Sequence, residues 1–413
     1  MKVLVVNCGS SSLKYQLFDS ETEQALASGV ASRVAVNGGT QAQLEHRVAG
    51  NSSHVVCAPM PDHEVALGHV LEALVHPEHG VLNTLEEIGA VGHRVVHGGE
   101  RFSESVLIDD KVIAAIEGFC EIAPLHNPAN LQGILASRHR LPGVPMVAVF
   151  DTAFHQTLPP TAYIYGLPYE LYEERGIRRY GFHGTSHRYV AGQAVEVLGA
   201  AGRSADKIIT CHLGNGCSIT AVEGGKSVQT SMGFTPLAGL LMGTRCGDID
   251  PALVPYLINH LGMDSREIDE MLNKRSGLLG ISGVSSDMRD IHAAAEAGNP
   301  RARLARDIFC YRLRRYIGAY AAVIGGVDAV VFTAGIGEND AWVRAQAMQG
   351  LGFLGLCLDE QANADGNLNG SRDVATAESR ARILIIPTNE ELLISRDTAA
   401  LASTEQSVLR DPA

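Results

Sequence analysis

A strand, a polar glycine turn and a second strand occur twice in this chain, at Val3–Tyr15 and again at Lys207–Val222. In the first copy the apolar run Val3–Val6 reads as a buried strand that stops at Asn7-Cys8-Gly9, before Ser10, Ser11 and Ser12. Alternation resumes with Leu13, Tyr15 and Leu17 on one face and Lys14 and Gln16 on the other, the period of a strand. The second copy runs Ile208–Thr210, turns through His212, Leu213, Gly214, Asn215 and Gly216, and continues Ser218–Val222. A P-loop needs a following helix and a Gly-Lys-Ser/Thr end, which the first copy lacks. Its turn still gathers backbone N–H groups, three hydroxyls and a lysine, which suits a polyphosphate with its metal. One copy alone is equally an ordinary hydroxyl-rich hairpin. Two copies point to a duplicated fold with the ligand between them.

At 413 residues the chain exceeds the size at which one core usually splits, so two domains are expected. With 46% hydrophobic and 19% charged residues it reads as globular. A net charge of −13 argues against nucleic acid or an anionic membrane as partner. The eight cysteines show no C-x-x-C spacing, which fits a reduced cytoplasm. The N-terminal apolar run is too short for a signal sequence, and no stretch approaches a membrane span.

Residues 24–58 read as further strands broken at Asn37-Gly38-Gly39 and Gly50-Asn51. Helical spacing marks Glu64–Val75, Asp110–Phe119, the stretch from Pro128 to Arg138, and the long Arg301–Ile324. Ile88–Val96, Pro145–Phe150, Ala329–Phe332 and Ile383–Ile386 read as strands. Gly335-Ile336-Gly337-Glu338-Asn339 is expected as a glycine turn that lets a ring or phosphate approach the backbone. Thr388 or Asn389 should cap a final helix that opens with Glu390 and Glu391.

Arg94 (HRVVHGG) and Arg245 (MGTRCGD) have glycine-rich flanks, unlike an ordinary surface ion pair, and would clamp a carboxylate or a transferring phosphoryl group. His183 and His212 are candidate donors to transition-state oxygens, or else satisfied structural histidines. A His183/His187 zinc pair is disfavoured, since it needs more ligands and a helix that Gly184-Thr185 should interrupt. Asp151 ends a buried strand, where open α/β sheets keep their sites. Asp151 and Glu390 could hold Mg²⁺ directly or through water, although Glu390 also reads simply as a favourable charge at a helix start.

Together the blocks closely resemble the short-chain carboxylate kinase family, in the sugar kinase/heat-shock ATPase/actin superfold. The resemblance rests on Asn7–Tyr15, His93–Gly99, Ala123–Pro128, Phe150–Phe154, Tyr180–His187, His212–Gly216, Phe234–Pro251, Asp287–Arg289, Gly335–Asn339 and Ile386–Glu391, and covers nearly the whole chain. It implies an α/β fold of two duplicated actin-like (ribonuclease H-like) domains with the active site in the cleft between them. The first would comprise residues 1–150 plus about 388–413, and the second, nucleotide-binding and dimerising, residues 151–387. The implied activity is reversible, Mg²⁺-dependent (or Mn²⁺-dependent) transfer of the ATP γ-phosphoryl group to acetate, giving acetyl phosphate and ADP. Carried over by position, Asn7 and Glu390 belong to the magnesium site, Lys14 contacts ATP, and Ser10 and Ser12 lie near the phosphoryl group. Arg94 binds substrate, Asp151 is the catalytic acid residue, and His183 and Arg245 stabilise the transition state. His212–Gly216, Asp287-Met288-Arg289 and Gly335–Asn339 contact the nucleotide, and Val96, Leu125, Phe182 and Pro236 form the pocket for the acid's alkyl end. The resemblance also implies a cytoplasmic homodimer. Cys8, Cys246 and Ala238 depart from the family pattern, where Ala, Ser and Glu are usual. Cys8, Cys217 and Cys246 lie in the site blocks, so thiol reagents should inactivate the protein, and the Mg-ATP that the resemblance implies should protect it.

A carboxylate is already ionised at neutral pH and needs no general base. Direct in-line transfer is therefore favoured, with Asp151 positioning Mg²⁺ or water. Valine at 96 leaves less room than alanine, so propionate should be a poorer substrate than acetate. The rival readings are a propionate kinase, a pyrophosphate-dependent kinase, a sugar or polyol kinase using Asp151 as base, and an actin- or chaperone-like ATPase.

Overall fold

The computed structural model describes residues 1–50, 53–366 and 370–410; Asn51 of the expected Gly50-Asn51 turn and residues 411–413 lie outside it. It divides into two compact units, Met1–Ala153 with Asn389–Ala413, and Phe154–Thr388.

The first unit carries an eight-stranded sheet. Its strands are β1 (Lys2–Gly9), β2 (Ser12–Asp19), β3 (Ala25–Ser32), β4 (Gln43–Val48), β5 (His54–Cys57), β6 (Ile88–Val95), β7 (Val106–Leu107) and β8 (Met146–Phe150). They lie in the order β5-β4-β3-β2-β1-β6-β8-β7. Consecutive strands β1 to β5 pair antiparallel, whereas β6 runs parallel to β1 and β8 parallel to β6. The register pairs Asn7 with Lys14 across β1 and β2, and Val6 with His93 across β1 and β6. Alternation drives Leu4, Val6, Leu13 and Leu17 into a core shared with Leu67, Val70 and Leu74 of α1 (His63–Leu74). The side chains of Asp62 and Asp109 cap α1 and α2 (Asp110–Gly118), and Pro128 occupies the first turn of α3 (Asn127–Arg140). The chain returns with the helix Glu390–Arg410, capped where Asn389 Oδ1 accepts from Leu392 N at 3.1 Å. This helix packs so closely on β6 that a Cβ at Gly92 would lie 2.8 Å from Ile394 Cγ2.

The second unit repeats the plan with β9 (Lys207–Leu213), β10 (Cys217–Glu223), β11 (Lys226–Thr230), β12 (Ala329–Thr333), β13 (Arg372–Asp373) and β14 (Arg382–Ile385), ordered β11-β10-β9-β12-β14-β13. Again an antiparallel hairpin, β9–β10, leads the sheet, and β12 lies parallel to β9 and β14. Val190, Ala194 and Leu198 of the helix Gly184–Ala200 pack on Ile208, Val331 and Leu384. The helix Pro300–Val323 ends where Gly326 N donates to Ala321 O at 2.8 Å.

Two local expectations fail. Gly335–Asn339 is no open turn: Ala334–Asn339 is a short helix directly after β12, entered through Ala334 at φ 63°. Gly184-Thr185 does not interrupt a helix but begins one, with His183 as its left-handed N-cap at φ 56°. The glycine lies in the first turn, where few helical bonds depend on it.

Candidate active site

In the first unit, Asn7, Arg94 and Asp151 stand at the carboxyl ends of three neighbouring strands, β1, β6 and β8. Arg94 grips Asp151 in a fork: Nε donates to Oδ1 at 3.0 Å and Nη2 to Oδ2 at 2.6 Å. Its Nη1 lies 3.4 Å from Asn7 Oδ1, and its Nε 3.9 Å from Glu390 Oε2. Asp151 is 1% exposed, so both its oxygens are committed away from water. Burial disfavours the Arg94 charge, but Asp151 and Glu390 outweigh it and hold the guanidinium firmly protonated. Burial lifts Glu390 to about 7, with Asp151 and Glu391 adding to the shift and Arg94 and Lys14 opposing it. Lys14 and Ser10 are exposed and Ser12 is half-buried; Lys14 lines a small cavity of about 220 Å³ that Glu391 also borders. Val96 is buried, whereas Leu125 is 52% exposed beyond α2.

In the second unit, the His183 and His212 rings stack 4.3 Å apart. Ser218 Oγ sits 2.8 Å from His183 Nδ1 and 2.7 Å from His187 Nε2, and Thr210 Oγ1 holds His187 Nδ1 at 2.7 Å. His187 is thus a buried structural residue, although it does lie on a helix. Arg245 reaches the same place: a Cβ at Gly216 would lie 3.5 Å from both Arg245 Nη1 and His183 Cε1. Arg245 Nη1 donates to Pro236 O at 3.2 Å, and burial lowers its pKa. Phe182 is buried. The loop bearing Ala238 is closed by Gly239 N on Asp248 Oδ1 at 2.8 Å and Asp248 N on Gly239 O at 2.9 Å, so the departure at 238 leaves it ordered.

A cavity of about 840 Å³, ample for a nucleotide, opens beside the turn that follows β9. Gly214, Asn215, Asp287, Met288, Arg289, Gly335, Ile336 and Asn339 line it. Glu338 is turned elsewhere, its Oε1 accepting from Ala334 N at 2.8 Å and Thr388 N at 3.1 Å; Leu213 is fully buried. Sequence reasoning missed Ser286, His292, Asp340 and Ala341 on the cavity wall. His292 Nε2 meets Asp340 Oδ2 at 2.8 Å, a pairing 48 residues apart that no local pattern signals.

The thiol expectation is corrected. Cys8, Cys217 and Cys246 are all buried, and burial pushes the Cys8 and Cys217 thiols up to about 12. The exposed cysteines are Cys57 and Cys357, outside these clusters. Among the described residues no group of three or more His, Cys, Asp or Glu is placed to hold a metal, and no helix is long and apolar enough to cross a membrane.

The Acetokinase family model matches residues 2–396. Acetate kinase of Clostridium botulinum (strain Kyoto / Type A2) is 56% identical over 404 residues, covering 98% of this chain and 100% of that protein. The crystal structure of Porphyromonas gingivalis acetate kinase superposes with a TM-score of 0.91 at 45% identity, over 97% of this chain and 99% of that one. A propionate kinase from Francisella tularensis gives 0.89 at 42% identity, over 97% and 99%. Each unit carries a mixed α/β sheet of the actin-like fold, and the chain belongs to the acetokinase family.

Proposed function

We propose that the chain transfers the γ-phosphoryl group of ATP reversibly to acetate, with the acid held by Arg94 and Val96 and the nucleotide by the cavity of the second unit. The observation that carries this reading is the Arg94–Asp151 fork. With both oxygens engaged by the guanidinium, Asp151 is poorly placed to strip a proton from a hydroxyl, which favours an acceptor that arrives as an anion. A carboxylate meets that need. Its oxygen attacks phosphorus, the bond from phosphorus to the ADP oxygen breaks, and no proton moves.

Arg245 and His183 are proposed to meet the charge that develops on the equatorial phosphoryl oxygens. Asn7 and Glu390 offer hard oxygen donors of the kind Mg²⁺ takes, completed by water and phosphate, with Asp151 holding Arg94 beside them. Bound there, the ion would neutralise phosphate charge. A homodimer through the second unit is supported by the helix Leu253–Leu261, which buries none of its residues and exposes Leu253, Tyr256 and Leu261.

The test supplies Mg-ATP with acetate, propionate, butyrate or glycerol and traps acyl phosphate with hydroxylamine. Hydroxamate is expected with acetate, less with propionate and none with glycerol. ATP hydrolysis indifferent to the acid would contradict the reading.

A further inference from the structure

α3 presents two buried asparagines one turn apart, Asn127 and Asn130, 0% and 3% exposed. Asparagine is a poor helix-interior residue, and a buried amide must find partners. Asn127 spends its amide on one residue: Oδ1 accepts from His97 N and Nδ2 donates to His97 O, both at 3.0 Å. Asn130 instead joins two segments. Its Oδ1 accepts from Val96 N at 3.0 Å, and its Nδ2 donates to Cys8 O at 2.8 Å.

The β1–β6 register ends at Val6 and His93. Beyond it the two strands carry Asn7 and Arg94, and it is there that the Asn130 amide ties one chain to the other. α3 comes close enough to do so because its next residue on that face is Gly133, and the space a Cβ would take is filled by Cys8 Sγ. We propose that Asn130 is a positioning residue that sets the separation between the turn bearing Asn7 and the strand end bearing Arg94 and Val96, and so fixes the affinity for the carboxylate. This rests on the proposed acid site.

The test is Asn130→Asp in the full chain. The substitution keeps the size and the acceptor for Val96 N but sets a carboxylate oxygen against Cys8 O. Acetate KM is expected to rise about tenfold, the effect of roughly one lost hydrogen bond, with kcat at saturating acetate largely retained. Nucleotide affinity, read from the fluorescence of Trp342, the one tryptophan in the sequence, should not change. As pH falls and the new carboxyl takes up a proton, it can again donate to Cys8 O, and acetate KM should return toward that of the parent. Asn130→Ser, whose single hydroxyl replaces the two-atom span of the amide, serves if the aspartate variant does not fold. An unchanged acetate KM in a folded variant, with only the melting temperature lowered, overturns the proposal. A parent chain that makes no acyl phosphate from acetate would instead strike the functional reading.

Discussion

Arg94 and Arg245 stand in equivalent sequence settings, glycine-flanked and after a strand or turn, yet their surroundings differ in kind. Arg94 is spoken for: Asp151 takes it in a fork, and Glu390 lies beside it. Arg245 is largely buried and reaches only the Pro236 carbonyl and the Met242 sulfur, with no carboxylate partner among the described residues. Its charge is disfavoured by burial rather than stabilised by an acid. A cation held in this state is stabilised when an anion arrives, whereas a forked arginine is already neutralised and acts by geometry. Arg94 is thus paired with an acid in this structure, whereas Arg245 meets only a carbonyl and a thioether.

The largest effect should come from removing the unpaired charge. Arg245→Ala should lose about 10³–10⁵ in turnover, some 4–7 kcal/mol, with little change in melting temperature. Near-normal turnover would remove Arg245 from the reaction. Arg94→Ala should do the reverse to stability. It strands the 1% exposed Asp151 carboxylate and should cost about 3–5 kcal/mol in denaturant unfolding. Adding Asp151→Asn should recover much of that stability but not the acetate turnover. If the double variant is no more stable than the single one, the fork is not what organises the first unit.

Acid tests the same strand end. Burial pushes His93 down to about 3 and His97 to about 4. Below pH 6.5 the unfolded chain takes up protons that these folded imidazoles refuse, so stability should fall as pH drops toward 4. The slope should be about 1.4 kcal/mol per pH unit for each histidine, offset in part above about pH 4.5 by proton uptake at Glu390, and His93→Gln should flatten it. A pH-independent unfolding midpoint from 6.5 to 4 would contradict the burial of these rings. The smallest effect concerns the contact under the Asn7 turn. Gly133→Ala should cost about 1–3 kcal/mol by pressing on Cys8 Sγ, and Cys8→Ala should restore the loss. That pairing gives the cysteine at 8 a physical reason.

The regular parts of the fold were legible because alternation and helical spacing are local. Both hairpins and the long helix before Gly325-Gly326 could be read directly, and the cap of the last helix could be narrowed to Thr388 or Asn389, of which the structure uses Asn389. The failures came where glycine-rich text hides a helix. Gly184-Thr185 and Gly335–Asn339 both read as turns, yet each is helical, behind a non-glycine residue held left-handed at His183 or Ala334. Tertiary contacts over-determine that conformation, and no local rule anticipates it. Candidate site residues could be picked out by type, but their pairing could not: Arg94 and Asp151 lie 57 residues apart. Asn130 gave no signal beyond being an asparagine inside a helix, three residues after another. The exposure of Leu125 shows the opposite limit, since an apolar residue in a matching block need not be enclosed.

The acceptor is proposed to arrive ionised, with Asp151 removing no proton. Single-turnover phosphorylation of acetate in H₂O and in D₂O, on the pH plateau, tests this. With no proton in flight, the two rates should coincide for the parent chain. A clear slowing in D₂O that disappears in Asp151→Asn would make Asp151 a base and contradict the account.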